Sequence, residues 1–161
     1  MVKSYNFKNL EILFVDDNKN MHLIVKHLLM AMDITKYKSC LNGNNAIKMM
    51  QKSPPDIVIT DLKMESLNGF ELIERIRRGD GGIDPYVPIL VLSGQTELET
   101  VVKARNAGAT EFLAKPASVG SLYDRLAWMV DNPRPFIKSE EFLGPDRRRA
   151  MRGYEGLERR D

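Results

Sequence analysis

Three carboxylates, a hydroxyl and an ammonium group follow short apolar runs in this 161-residue chain. Asp16 and Asp17 follow LEILFV (residues 10–15), Asp61 follows DIVIT (56–60), Ser93 follows PILVL (88–92) and Lys115 follows EFLA (111–114). Gathered into one crevice, three carboxylates repel one another, and their pKa values climb unless a cation compensates. A hard dication such as Mg2+ (or Mn2+) suits them, because it takes a few carboxylate oxygens and completes its octahedron with water and phosphate. With an ammonium and a hydroxyl across from it, the set suits a phosphoryl group. The cations neutralise its oxygens, the hydroxyl donates a hydrogen bond, and one carboxylate attacks phosphorus in line.

The gathering has to come from the fold. The four runs and a fifth, YKSCL (37–41), all have strand length, and three are nearly continuous in Ile, Val and Leu. Strands covered on both faces require that continuity, so a buried parallel sheet is expected. Between them, Met21, Val25, Leu28, Leu29 and Met32 recur at helical steps, as do Ala46, Met49 and Met50, then Phe70, Ile73 and Ile76, then Leu98, Val101, Val102 and Arg105. A last helix carries Leu122, Leu126, Met129 and Val130. The pattern βα, five times over, predicts an α/β fold with right-handed crossovers and helices on both faces of the sheet. Such doubly wound sheets place their site at the carboxyl ends of the strands, where the residues named above fall.

Length and composition allow one globular unit with an appendage: 43% of residues are apolar and 29% charged. The net charge of +2 marks no nucleic-acid or membrane binder. Eight of the 24 basic and six of the 22 acidic residues lie in 132–161, so residues 1–131 are neutral and the tail is basic. The lone Cys40 can form no internal disulfide, no Cys/His metal spacing occurs, and LEILFV is too short to span a membrane. A reducing cytoplasm is the expected setting. The domain is expected to fill residues 1–131, with a Pro/Arg-rich tail over 132–161 too short for an effector domain of the usual size. In that tail GPDRRR from Gly144 is echoed by GLERRD from Gly156. Six arginines from Arg147 to Arg160 face two acids there. They read first as a solvated terminus and second as a dock for an acidic surface.

Each candidate also has a bland reading. Asp17 or Asn18 could cap the first helix, Asp61 and Ser93 could be turn residues, and Lys115 a solvated lysine before proline. Taken singly these suffice; together, at successive strand ends, they point to function. His22 and His27 read as surface or boundary residues, Cys40 as packed in the second strand, and Tyr123 and Trp128 as packing residues.

The set Asp16-Asp17, Asp61, Ser93 and Lys115-Pro116, with its intervening lengths, resembles the receiver domain of two-component response regulators over roughly residues 8–131. The resemblance implies a five-stranded flavodoxin-like sheet of order 2-1-3-4-5. It implies that Asp61 takes a phosphoryl group from a histidine kinase or histidine phosphotransfer protein, with Mg2+ held by Asp16, Asp17, Asp61 and the backbone carbonyl of Lys63. Ser93 would be the switch hydroxyl, Lys115 the ion-pair partner, Phe112 the aromatic that turns inward, and Lys115-Pro116 a cis bond. Lys63 and Gln95 stand where side chains influence attack by water. Departures are Glu65 for proline, Asn68 for aspartate, Ser93 for threonine and Phe112 for tyrosine; none touches the acceptor, the acidic pair or the lysine. An output protein is implied but not identified, and a phosphorylation-dependent dimer stays open. Nucleic acid is disfavoured, because an acid sits beside each arginine pair and no aromatics interleave.

Two other functions compete. A haloacid-dehalogenase-like phosphatase also uses an aspartyl phosphate, serine, lysine and Mg2+. It needs a second acid two residues after the nucleophile, where this chain has Asn18 or Lys63. A scaffold that binds partners without phosphorylation would share nearly the whole sequence.

Overall fold

A computed structural model describes residues 5–133, 135–138 and 143–145. Its elements run β1 (Ile12–Val15), α1 (Lys19–Ala31), β2 (Tyr37–Cys40), α2 (Gly43–Lys52), β3 (Ile57–Thr60), α3 (Gly69–Arg77), a 3-10 turn (Asp80–Gly82), β4 (Ile89–Ser93), α4 (Leu98–Ala107), β5 (Glu111–Ala114) and α5 (Val119–Asp131). A short ribbon of β6 (Phe136–Lys138) and β7 (Leu143–Pro145) follows. The main sheet is parallel throughout, in the order β2-β1-β3-β4-β5.

Alternation along each strand explains why the runs are continuously apolar. Ile12, Phe14, Ile57, Ile59, Leu90 and Leu92 face α1 and α5, where they meet Val25, Leu29, Leu122 and Leu126. Leu13, Val15, Val58, Ile89 and Val91 face the other way, onto Ala46 and Met50 of α2, Leu72 and Ile76 of α3 and Ala104 of α4. The sheet is thus buried on both faces, as a parallel sheet must be.

Asparagine opens three of the helices. Asn18 caps α1 by accepting from the Asn20 amide, Asn42 caps α2 through the Asn45 amide, and Asn68 caps α3 through the Glu71 amide. Ser118 and Ser121 form a reciprocal capping box on α5. Aspartate would cap α3 as well, but the Asn68 amide also donates to Glu71 Oε1 at 2.8 Å, a bond that a carboxylate could not make.

The expected runs shift by one or two residues. β1 begins at Ile12 because Leu10 donates back to the Phe7 carbonyl (2.9 Å) and the Glu11 amide is taken by the Asp56 carboxylate (2.8 Å). β4 begins after Pro88, which has no N–H to give the ladder. It ends on Ser93, paired in register with Ala114, so the serine closes the strand and does not follow it. The ribbon β6–β7 was not expected. Phe136 pairs with Pro145 and Lys138 with Leu143, antiparallel. The arginines from 147 onward lie outside the described residues.

Candidate functional site

Backbone hydrogen bonds carry the strand ends into one crevice. Beyond β1 the Asp16 amide donates to the Cys40 carbonyl (3.2 Å), beyond β3 the Asp61 amide to Val15 (3.1 Å), and beyond β5 the Lys115 amide to Ser93 (2.9 Å). Each residue is held as one more rung of the sheet, which brings groups from distant parts of the sequence side by side.

Three of the side chains meet directly. The Lys115 ammonium donates to Asp16 Oδ2 at 2.9 Å and to Asp61 Oδ2 at 3.0 Å. The Asp16 side chain is fully buried and that of Asp61 is 12% exposed, so both charges need an internal counter-charge. The remaining oxygens find backbone donors: Asp16 Oδ1 accepts from the Asn18 amide (2.8 Å) and Asp61 Oδ1 from the Leu62 amide (2.7 Å). Burial alone would pull the Lys115 ammonium down, but its hydrogen bonds to Asp16 and Asp61 and their charges outweigh that and hold its pKa above the ordinary lysine value. It stays a cation at neutral pH.

Asp17 stands apart from this trio. It is exposed, and its Oδ2 accepts from the Glu65 amide at 3.2 Å, which ties β1 to the loop after β3. Because Asn18 supplies the helix cap, Asp17 is not needed for capping. Ser93 is buried, and its hydroxyl oxygen accepts from the Gln95 amide at 3.1 Å. Lys63 and Gln95 are exposed. Phe112 is half-buried on the α4 side of the sheet, in register with Val91. The Lys115-Pro116 peptide is cis.

The loop after Asp61 is folded in tightly. Met64 and Leu67 are buried, and the Gly69 amide closes the loop on the Leu62 carbonyl at 2.8 Å. A Cβ on Gly69 would fall on the Asp61 carbonyl oxygen and lie 2.6 Å from Leu62 Cα, so only glycine lets α3 start this close to the acid.

Among the described residues, no three His, Cys, Asp or Glu side chains converge as a preformed cation site. The donor types nevertheless suit a hard dication: Asp16 and Asp61 supply carboxylate oxygens in the pocket, and Asp17 is accessible beside it. Sequence reasoning missed the backbone amides of Asn18 and Leu62 as carboxylate donors, since amides leave no residue-type signal. It also missed His22, whose Nε2 lies 2.6 Å from the Asp16 carbonyl while its ring packs edge-on to Phe14.

The family described as response regulator receiver domain matches this chain over residues 12–127. The chain belongs to that family. Chemotaxis protein CheY-3 of Vibrio cholerae is 30% identical over 119 residues, which cover 74% of this chain and 90% of the relative. The crystal structure of Vibrio cholerae chemotaxis protein CheY4 is 28% identical with a TM-score of 0.67, covering 73% of this chain and 96% of that one. The receiver domain of a Francisella response regulator, 21% identical, shares the fold with a TM-score of 0.69 over 78% of this chain and 100% of its own. This receiver is a phosphoacceptor in two-component signalling, a signalling protein rather than a turnover enzyme. Receivers of this kind work with histidine kinases and output proteins and generally depend on Mg2+. Among the described residues no helix is long and apolar enough to cross a membrane.

Proposed function

We propose that Asp61 is the phosphoacceptor and that Lys115 is the cation that senses its state. The observation that carries this is the Lys115 ammonium shared by Asp16 and Asp61 at 2.9 and 3.0 Å, at the carboxyl ends of three strands. In the transfer, an Asp61 carboxylate oxygen forms the O–P bond while the bond from phosphorus to the donor breaks. For a phosphohistidine donor that is the P–N bond, whose electron pair leaves with the imidazole. The product is an acyl phosphate, and Lys115 then has a more highly charged partner than the carboxylate it held before. The Ser93 hydroxyl, one strand away from Asp61, would turn from the Gln95 amide to donate to a phosphoryl oxygen. Phe112 would follow into the space on the α4 side.

Asp16, Asp17, Asp61 and the Lys63 carbonyl are the groups that would hold Mg2+, which when bound neutralises phosphoryl oxygens. Loss of the phosphoryl group to water would be slow, with Lys63 and Gln95 the side chains that tune it. The donor is a histidine kinase or histidine phosphotransfer protein, and an output protein reads the altered surface. We place this exchange in the cytoplasm, where the lone Cys40 stays reduced. The receiver proper is assigned to residues 1–131 and the appendage to 132–161.

The test is labelling by acetyl phosphate with Mg2+. The wild-type chain should gain a single phosphoryl group, and Asp61→Asn should gain none. Undiminished labelling of the variant would place the acceptor elsewhere. Equal partner binding by the wild type and the variant would favour a scaffold that works without phosphorylation.

A further inference from the structure

We propose that His22 is a positioning residue for the acidic pair: by donating to the Asp16 carbonyl it fixes the peptide plane that joins Asp16 to Asp17, and so prepares both acids for a dication. This rests on the reading of that pair as the cation's ligands. The contact is 2.6 Å long and runs from the first turn of α1 back to the residue after β1. A carbonyl only accepts, so Nε2 carries the proton here. The ring is held too: it is half-buried and meets the Phe14 ring edge-on at 5.0 Å. Phe14 is fixed in the buried sheet, so the imidazole leans on a rigid surface and its donor stays aimed.

The other bonds of this turn define what His22 adds. The Asp16 amide is a rung of the sheet on Cys40 (3.2 Å), its Oδ1 accepts from the Asn18 amide (2.8 Å) and its Oδ2 from Lys115 (2.9 Å). Asp17 Oδ2 accepts from the Glu65 amide (3.2 Å). Those bonds hold the strand behind the pair and the two carboxylates. None of them touches the oxygen of the peptide unit between the acids, which is the atom His22 holds. β2 ends at Cys40, so one step beyond β1 this carbonyl takes its hydrogen bond from a side chain and not from the ladder.

That plane sets the directions in which the two side chains leave the chain: Asp16 goes inward and is fully buried, Asp17 goes outward to the exposed rim. A dication that takes oxygens from both acids depends on their relative placement. Were the plane free to turn, each binding event would bear the cost of ordering it. His22 is not itself a ligand in this scheme, because its Nε2 is occupied and a hard dication prefers oxygen. Donors that orient ligands without touching the metal commonly change its affinity by about 10–100-fold.

The test uses the full chain and two readouts: Mn2+ binding, followed by the electron paramagnetic resonance of the free ion, and the rate of labelling by acetyl phosphate as Mg2+ is varied. His22→Phe keeps a ring against Phe14 and loses the donor. It should weaken Mn2+ binding by about tenfold and raise the half-saturating Mg2+ concentration by about the same factor, with the labelling rate at saturating Mg2+ close to wild type. His22→Gln carries an N–H the same number of bonds from Cβ as Nε2 and should recover most of the affinity. His27→Phe, at an exposed position of α1, should bind as the wild type does. Wild-type Mn2+ affinity in a folded His22→Phe chain overturns the role of His22 and leaves Asp61 as the acceptor. So does an equal loss in the Phe and Gln variants, a matching loss in His27→Phe, or a slowed rate with unchanged half-saturation. If His22→Phe does not fold, the histidine ring resonances of the wild type decide: Mg2+ should move those of His22 and leave those of His27, and an unmoved His22 overturns the proposal. Mn2+ binding that survives Asp17→Asn undiminished overturns the acidic pair as ligands, and the role of His22 with it, whatever the labelling at Asp61.

Discussion

Replacing Lys115 by glutamine keeps a polar hydrogen-bonding head on a side chain one atom shorter and removes its charge, which tests the cation's role. The wild-type ammonium makes two charge-assisted hydrogen bonds, to Asp16 and Asp61, and is itself only 18% exposed. Stripping the counter-charge from a buried carboxylate costs about 3–5 kcal/mol. Two features reduce that figure: the pocket opens to water on the Asp61 side, and both carboxylates keep one backbone donor each. We therefore expect Lys115→Gln to lose about 2–3 kcal/mol of unfolding free energy at pH 7. Urea unfolding followed by circular dichroism measures it, and equal slopes for the two proteins would show that the folded states are comparably compact. A difference under about 0.5 kcal/mol at pH 7 would refute the assignment of Lys115 as the neutralising charge of the pocket. The variant should also fail to relay phosphorylation to partners even if acetyl phosphate still labels it, since the sensing cation is gone.

Two neighbouring residues should separate structure from chemistry. Asn18→Ala removes the cap of α1 and should cost about 1 kcal/mol of stability while leaving Mg2+-dependent labelling intact. Asp17→Asn should leave stability nearly unchanged and raise the Mg2+ concentration needed for half-maximal labelling; the opposite pattern would mean that Asp17 is the structural residue. Burial pushes the Cys40 thiol up to about 11. Between its ordinary value near 9 and 11 the unfolded chain binds fewer protons than the folded one, so the stability that Cys40 contributes is lost as pH rises. At about 1.4 kcal/mol per unit, the stability difference between wild type and Cys40→Ala should shrink by about 2 kcal/mol between pH 9 and 11. Titration of the other groups, common to both proteins, cancels in that difference.

The fold could be read from the sequence because a parallel sheet covered on both faces writes itself as continuous Ile, Val and Leu, and β1, β3 and β4 carry that signature. Strand edges were less legible because hydrogen bonds, not apolarity, end a strand. Asp56 captures the Glu11 amide and Pro88 offers no donor, so two apolar runs begin before their ladders do. The ribbon β6–β7 escaped notice for a related reason. Strands of three residues with glycine and proline in one of them carry no period, and what holds Phe136 is a tertiary contact with Arg77 and Tyr86. One sequence signal for that contact did exist: Arg77 falls four residues after Ile73 and one after Ile76, on the buried stripe of α3. An arginine on an apolar stripe needs several buried acceptors, and here carbonyls supply most of them, so burial lowers its pKa without discharging it at neutral pH.

The candidate site was legible for a topological reason that individual motifs lack. Residues 16, 61, 93 and 115 are far apart in sequence, and nothing local obliges an acid, a hydroxyl and a lysine to follow those particular strands. In a parallel sheet, however, all strands end on the same side, so whatever follows them must share one rim. Once that rim places Asp16 out of water, Coulomb energy requires a cation, and Lys115 at 2.9 Å supplies it. The same cation reaches Asp61 at 3.0 Å. A change in charge on Asp61 must therefore be felt at Lys115, and through Lys115 at β5 and the start of α5. A pocket that stored its acids with separate, independent partners would be as stable and could transmit nothing.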